Sequence, residues 1–226
     1  HEFMVITETG EDEVVYCSSC GYAANVEKAQ FVKTRSNAES PLPLQEIATP
    51  GVKTIDEVAK FVGVPTNRTL KAVFYSADGE FIFVIIRGDL EVNETKLRNA
   101  LKCSELRLAT EREVDEIGLV AGFASPIGVK GVKVVADDSI TSGSNFIVGA
   151  NKSGYHFKNA NYPRDFQVDL VADIALARAG DSCSKCRGKL SSARGIEGGR
   201  VFKLGAFISE KVGTSFLDED SKARPL

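Results

Sequence analysis

Two Cys-x-x-Cys pairs, Cys17/Cys20 and Cys183/Cys186, have the residue type and spacing that most directly indicate chemistry. Four thiolates are the ligand set of a tetrahedral structural zinc site, so the pairs predict one zinc ion if the fold brings them together. Reduced thiols or a disulfide are the alternatives. If the pairs meet, the chain between them leaves from and returns to one place, as an inserted domain does. Cys103, between the pairs, is expected to be a bystander.

Composition is that of an ordinary globular protein, with 226 residues, 43% hydrophobic and 26% charged. No apolar run approaches the ~20 residues of a membrane helix, so no membrane partner is expected. The net charge of −3 argues against bulk electrostatic attraction to nucleic acid, although a local basic site stays possible. Without a recognisable signal peptide, a reducing, cytoplasmic location is expected.

Local signals along the chain predict interleaved helices and strands. Two capping boxes, Thr54-Ile-Asp-Glu57 and Thr110-Glu-Arg-Glu113, predict helix starts, and Asn93 is a third N-cap. Apolar runs on either side of Asp78-Gly79 predict a β-hairpin of strands 70–75 and 81–87. A short helix is predicted over 23–29, and further strands over 2–5, 13–16, 133–136, 145–149 and 167–170. Because no strict βαβ repeat is present, the predicted fold class is α/β with a mixed sheet.

Four stretches in a fixed order carry a family resemblance. They are Glu11-Asp-Glu-Val-Val-Tyr-Cys17, Arg87-Gly-Asp89, Gly149-Ala-Asn151 and Arg194-Gly-Ile-Glu197. Together they resemble bacterial-type prolyl-tRNA synthetases. The first and last resemble segments of the class II catalytic domain, and the middle two resemble its inserted editing domain, of the YbaK-like aminoacyl-tRNA deacylase family.

The resemblance implies three segments. Residues 1–43 would be a partial catalytic-domain segment with the first cysteine pair, 44–175 the inserted editing domain with its YbaK-like α/β fold, and 176–226 the return segment with the second pair. A polar, proline-containing stretch at 34–43 is the expected linker. The sequence is therefore interpreted as a fragment of a longer enzyme.

By the same resemblance, the whole enzyme is a homodimer that joins proline to its tRNA with ATP and Mg²⁺. The sequence has neither the arginine-bearing class II motifs nor a P-loop, so the fragment is not expected to ligate. Its implied activity is post-transfer editing, the hydrolysis of alanine from the tRNA for proline, with no cofactor required. The implied partner is the 3′ end of that tRNA. The alternative is a non-catalytic, zinc-stabilised tRNA-binding module.

Two motif matches give three candidate residues for the editing reaction. The family's essential lysine falls at Lys71, where its amine could bind a phosphate or ribose of the tRNA end. A solvated lysine at a strand end is the alternative from spacing alone. Gly122 and Pro126 match a Gly-x-x-x-Pro loop whose N–H groups could cradle the ester carbonyl, with a plain turn as the alternative.

The remaining candidates concern substrate size and the metal. His156 aligns with a histidine that helps the domain accept alanine and exclude larger side chains, and it could equally be a core histidine between two aromatic residues. Ile55 and Val58 align with apolar pocket-wall positions, which an amphipathic helix would bury in any case. The cysteine pairs are not universal in the family, so zinc is a candidate structural ion outside the shared chemistry.

Overall fold

The computed structural model describes residues 1–34 and 39–225. The chain forms two compact units, a small unit of His1–Val14 with Ala193–Leu226 and a large unit of Val15–Ser192. The predicted segment limits 1–43, 44–175 and 176–226 remain a prediction. The predicted linker at 34–43 includes residues 35–38, which lie outside the described residues.

The elements are named in chain order. The strands are β1 (Glu2–Ile6), β2 (Asp12–Tyr16), β3 (Ala23–Asn25), β4 (Phe31–Val32), β5 (Gln45–Ala48), β6 (Leu70–Ala77), β7 (Glu80–Arg87), β8 (Leu106–Leu108), β9 (Lys133–Asp137), β10 (Phe146–Gly149), β11 (Tyr155–Ala160), β12 (Leu170–Ala172), β13 (Ser182–Cys183), β14 (Ser191–Arg200), β15 (Ser215–Leu217) and β16 (Ala223–Pro225). The α-helices are α1 (Ile55–Val62), α2 (Glu94–Leu101), α3 (Glu111–Glu116) and α4 (Phe207–Val212).

A mixed five-stranded sheet is the centre of the large unit, with the strand order β12-β9-β7-β6-β8. The pairs β12–β9 and β9–β7 are parallel, whereas β7–β6 and β6–β8 are antiparallel. Five residues of β7, from Ile82 to Ile86, are fully buried, as expected for a strand covered on both faces. The predicted α/β class with a mixed sheet is confirmed.

Local capping signals predicted the helix starts correctly. Thr54 and Thr110 each accept a hydrogen bond from the N3 backbone, and the N3 glutamate closes a capping box in both α1 and α3. Asn93 caps α2 through its bond from the N–H of Lys96. Gly63 ends α1 in the left-handed region at φ 76°, a conformation that glycine adopts without steric cost.

A second sheet, in the order β10-β11-β5, was not predicted as a unit. Strand β11 pairs antiparallel with both β10 and β5, which fixes His156 opposite Gly149 on one side and Ile47 on the other. Phe146 and Val148 of β10 are fully buried in the core that includes Phe83 and Ile85 of the large sheet. This packing joins the two sheets of the large unit.

Two of the predicted elements were wrong in type or position. The helix predicted over 23–29 is instead β3 followed by a turn, in which the Asn25 side chain accepts from the N–H of Glu27 at 3.0 Å. Asparagine offers the backbone this local alternative to a helix. The strand predicted over 167–170 lies instead at Leu170–Ala172, where these three residues pair in parallel with Val135 to Asp137 of β9.

The small unit contains β1, the part of β14 from Ala193 to Arg200, α4 and the β15–β16 hairpin, and β1 pairs antiparallel with β14. Many of its large apolar side chains are exposed, including Phe3, Phe202 and Phe207. Within the described residues of both units, no helix has the length and apolar character needed to cross a membrane.

Candidate functional site

A cavity of about 230 Å³ opens in the large unit where α1, the first half of β6, the end of β10 and the start of β11 meet. Apolar, hydroxyl and basic side chains line it. They are Lys53, Thr54, Ile55, Val58, Thr69, Leu70, Lys71, Ala72, Phe74, Gly122, Ala124, Ile147, Gly149 and His156. The cavity therefore brings together five of the six residues predicted for catalysis and substrate binding, namely Lys71, Gly122, His156, Ile55 and Val58.

Helix α1 forms an apolar wall of the cavity through Ile55 and Val58. Val58 is only 2% exposed, and it is held in place because the capping box fixes where the helix begins. The Glu57 carboxylate accepts the N–H groups of Thr54 and Lys53, and these bonds lower the pKa of Glu57. The wall is thus anchored at the end nearest the cavity.

Lys71 is the second residue of β6 and the predicted essential lysine. It lines the cavity, and its ammonium group donates to Glu91 Oε1 at 2.6 Å. The Lys71 side chain is largely covered, with 17% exposed, whereas that of Glu91 is half exposed. The lysine is therefore not a freely solvated strand-end residue, because its charge is held in one place at the edge of the cavity.

The loop after α3 supplies another part of the cavity wall through Gly122 and Ala124. Gly122 has φ +81°, in the left-handed region that favours glycine, and a Cβ atom placed on it would lie 3.6 to 3.8 Å from the aliphatic part of Lys53. Pro126 is buried further along the loop and is not among the lining residues of the cavity, so its place is in the framework of the loop.

His156 lies inside the cavity wall and is 4% exposed. Its Nδ1 is 2.7 Å from Oγ1 of Thr49, which is itself fully buried, and its ring packs beside Phe123 with the centroids 5.5 Å apart. Burial lowers the pKa of His156, so the imidazole is neutral at pH 7. It combines the packing of a core histidine with a position in the cavity.

The charged side chains that line the cavity are all positive. Two lysines, Lys53 and Lys71, belong to its lining, and none of the lining residues in the described part of the chain is acidic. Such a cavity favours a ligand with an anionic group at its mouth and an apolar or uncharged portion inside.

The four predicted zinc ligands also come together in the large unit. All four Sγ atoms lie within 4.8 Å of one another, with Cys17 to Cys186 at 3.5 Å and Cys20 to Cys183 at 3.7 Å. A tetrahedron of thiolates around zinc, with Zn–S of about 2.3 Å, has sulfur atoms about 3.8 Å apart. The cluster can therefore hold a metal ion.

The backbone around the cysteine cluster also suits thiolates. Backbone N–H groups of Lys185 and Gly188 donate to the sulfurs of Cys183 and Cys186, each at 3.4 Å. Burial raises the pKa of the Cys17 thiol, but hydrogen bonds from Ser19 and the neighbouring thiols outweigh burial and lower it to about 7. A side chain at Gly188 would lie 3.2 to 3.3 Å from two of the sulfurs. The second turn therefore fits closely around the sulfurs, which would have to shift by a few tenths of an ångström to accept a larger residue than glycine.

Several residues that line the cavity or contact its lining were not identified from the sequence. Thr49 and Glu91 contact His156 and Lys71 across long sequence separations, which spacing along the chain cannot reveal. Gly149 and Asn151 belong to the Gly-Ala-Asn motif, which served only to recognise the family. A Cβ atom on Gly149 would lie 2.1 Å from the carbonyl oxygen of Phe123, so the motif includes a close backbone approach.

Comparisons with known proteins agree with this architecture. Residues 49–166 match the aminoacyl-tRNA editing domain family. The chain is 54% identical over its whole length to a proline–tRNA ligase of Dehalococcoides mccartyi, and 45% identical to one of Salinispora tropica. It spans 40% of the length of each of these relatives.

Solved structures share the fold at low sequence identity. A hypothetical protein matches 59% of the chain with a TM-score of 0.54 and 20% identity. A protein described as a candidate trans-editing enzyme for prolyl tRNA synthetase matches 59% with a TM-score of 0.51 and 20% identity, and the match covers 87% of that protein. The family match covers more than half of the chain and contains the whole lining of the cavity. The chain belongs to the aminoacyl-tRNA editing domain family.

Proposed function

We propose that this chain hydrolyses the ester that joins alanine to the terminal ribose of the tRNA for proline. The observation that carries the proposal is the single cavity that collects Lys71, the Gly122 loop, His156 and the α1 wall. Membership of the editing-domain family supports the reaction class. The proline–tRNA ligases among its relatives support the choice of tRNA.

Lys71 and Lys53 bind the anionic end of the substrate. The cavity lining is basic and free of acidic side chains in the described residues, so the phosphate of the terminal nucleotide is attracted to its mouth. Glu91 holds the Lys71 ammonium in position before the substrate arrives. Because Glu91 is half exposed, the ammonium can turn to a phosphate or ribose oxygen at low cost.

The reaction itself needs positioning more than an activated protein nucleophile. A water oxygen attacks the ester carbonyl carbon, the carbonyl oxygen becomes an oxyanion, and the bond to the ribose oxygen then breaks. One proton of the water passes to the ribose oxygen, the other is released to solvent, and alanine leaves as its carboxylate. N–H groups of the Gly122 loop stabilise the oxyanion, and the neutral His156 offers its second ring nitrogen as a hydrogen-bond partner.

Selection of alanine follows from the size of the cavity. A synthetic site built for proline cannot strongly reject a smaller amino acid, because lost methylenes are worth only about 1–3 kcal/mol. A second site that is too small for the proline ring removes the error. Ile55, Val58 and His156 form the walls that set this size limit.

A direct test compares Lys71→Ala with wild type on alanyl-tRNA for proline. We expect the first-order deacylation rate to fall about 100-fold or more, the usual cost of losing one electrostatic group at a reacting ester. Lys60→Ala is the matched control, because Lys60 is an exposed residue in the last turn of α1 and is not in the cavity lining. Equal rates for wild type and Lys71→Ala, both above the protein-free background, would refute the role of the lysine.

The four cysteines, in this proposal, hold a structural zinc ion. The 3.5 and 3.7 Å sulfur separations and the glycine beside the sulfurs support it. The ion would connect the two ends of the large unit and take no part in hydrolysis.

A polypeptide of the relatives' full length would, by the same proposal, also ligate proline to its tRNA with ATP and Mg²⁺. The relatives are longer than this chain, and this supports the proposal that ligation requires residues outside it. The test is to measure adenylate formation, which the full-length protein should show and the present chain should not.

A further inference from the structure

Every polar atom of the Asn151 side chain is hydrogen-bonded to the loop that follows Gly122 in the cavity wall. Its Oδ1 accepts from the N–H of Ser125 at 2.8 Å. Its Nδ2 donates to the carbonyl oxygens of Ser125 at 3.1 Å and Ile127 at 3.0 Å. Its backbone N–H donates to the carbonyl oxygen of Phe123 at 2.8 Å. One residue therefore satisfies four main-chain groups of the segment 123–127.

The backbone of Asn151 is set for this task. Its φ of +53° lies in the left-handed region, which asparagine tolerates better than most residues. The residue lies two positions after Gly149, the last residue of β10, whose missing side chain lets the strand approach Phe123. The end of β10 and the loop are thus held together by a close backbone approach and by the amide of Asn151.

Hydrogen-bond accounting shows which donors of the loop are left. The N–H of Phe123 donates to the Val120 carbonyl, that of Ser125 to Asn151, and that of Ile127 to the Ser125 hydroxyl. Within residues 1–34 and 39–225, the N–H groups of Gly122 and Ala124 have no acceptor. Both residues line the cavity, and Ala124 is 8% exposed. Ala124 is buried, where an unpaired N–H group is rare and costly, whereas Gly122 is exposed at the cavity. Both N–H groups are therefore available for a ligand oxygen.

We propose that Asn151 is a positioning residue that holds the 122–127 loop so that the N–H groups of Gly122 and Ala124 form the oxyanion site. The inference rests on the proposed ester hydrolysis and extends it to named atoms. Asn151 does not touch the substrate; it acts through the loop. Two converging backbone donors are the arrangement that stabilises the tetrahedral intermediate of acyl transfer.

Three variants of the full chain test this positioning. Asn151→Asp keeps the size of the side chain but turns the two N–H bonds into contacts between a carboxylate and two carbonyl oxygens. Asn151→Gly keeps the left-handed backbone and removes the amide. Asn159→Gly is the control, because Asn159 also has a left-handed φ, of +62°, and its amide donates to the Pro43 carbonyl, away from the loop.

Deacylation of alanyl-tRNA for proline is measured with kcat and KM separated, alongside the melting temperature. For Asn151→Asp we expect kcat to fall about 100-fold with KM changed less than about threefold, because the lysines that bind the nucleotide are untouched. Asn151→Gly should lose about 10-fold in kcat, and Asn159→Gly should stay within about twofold of wild type. If either Asn151 variant matches the Asn159 control in kcat, or changes KM alone, the inference is wrong.

A backbone change distinguishes positioning from a general structural effect. Replacing Ala124 by lactic acid turns its N–H into an ester oxygen and should itself lower kcat about 100-fold. When the Ala124 replacement is combined with Asn151→Asp, the fold-loss in kcat should be much smaller than the product of the two single losses, because both changes act on the same donor. Multiplicative losses would overturn the inference. A wild-type chain without deacylase activity would instead refute the proposed function itself, and this inference with it.

Discussion

Lys33 gives the clearest prediction about stability, because its ammonium group occupies the centre of an acidic cluster. Its Nζ is 2.7 Å from Asp137 and 2.8 Å from Asp173, and it also contacts Asp138. The Lys33 side chain is 8% exposed and that of Asp137 is fully buried. Lys33→Met would keep most of the packing volume and leave the carboxylates without their central cation.

The expected loss of stability depends on the hydrogen bonds and ion pairs that each carboxylate keeps in Lys33→Met. Removing one partner of a buried ion pair costs about 3–5 kcal/mol. Asp137 still accepts from the N–H groups of Ser139 and Ile174, and Asp173 still contacts Lys96 at 3.1 Å, so the lower end applies. We therefore expect a loss of about 3 kcal/mol in the free energy of unfolding, or about 6–12 °C in melting temperature for a chain of this size.

The pH dependence of this loss has a defined sign. Burial raises the pKa of Asp173, but Lys33 and Lys96 outweigh burial and lower it. Asp173 therefore contributes to the free energy of unfolding above its unfolded pKa of 3.8, and this contribution is lost as the pH falls through the lowered pKa. Burial lowers the pKa of Lys33, but the three aspartates raise it above 10.5, so its contribution is complete below that value. The difference between wild type and Lys33→Met should be flat from about pH 5 to 9 and shrink below about pH 4.

Urea unfolding at 25 °C, repeated across this pH range, is the assay. Lys133→Met is the matched control, because its partner Glu80 is 3.5 Å away and 59% exposed, and such pairs contribute about 1 kcal/mol or less. A loss below about 1 kcal/mol for Lys33→Met, or one equal to the control, would show that the cluster does not stabilise the fold as argued.

Three further predictions concern the cysteine cluster and the cavity. Purified wild type should contain about one zinc per chain by elemental analysis, and Cys186→Ser should lose it and melt earlier; equal metal content in both would exclude the site. Gly149→Ala should cost about 1–3 kcal/mol and reduce deacylation, because the new Cβ would overlap the Phe123 carbonyl, and unchanged stability and rate would contradict the close approach. Burial lowers the pKa of His156, so wild type should lose stability relative to His156→Gln as the pH falls below 6.5, whereas parallel pH profiles would mean that the histidine is not buried neutral.

The parts of the fold that depend on neighbouring residues were predictable from the sequence. The capping boxes of α1 and α3 and the Asp78-Gly79 turn are signals within four residues, and each is found where it was expected. The four-cysteine site was predicted only on the condition that the two pairs meet, and the four sulfurs do lie within 4.8 Å of one another. The helix predicted over 23–29 failed for an equally local reason, the turn around Asn25.

The contacts that complete the site depend on tertiary structure. Thr49 meets His156 only because β5 pairs with β11, and Lys33 meets Asp137 across 104 positions of sequence. The hydrogen bond from the Ser125 N–H to the Asn151 side chain also joins residues that are far apart in sequence, with a separation of 26 positions. No periodicity or spacing encodes such pairings, so the sequence predicted the candidate residues of the cavity but not the residues that hold them.

The ratio of deacylation rates on alanyl- and prolyl-tRNA, measured with the same tRNA and the wild-type chain, tests the central claim most directly. We predict that the alanyl ester is hydrolysed at least ~100-fold faster than the prolyl ester, because in the proposed function Ile55, Val58 and His156 of the cavity wall set a size limit that admits a methyl group and excludes the proline ring. Equal rates on the two esters, or no hydrolysis of either above the protein-free background, would contradict it.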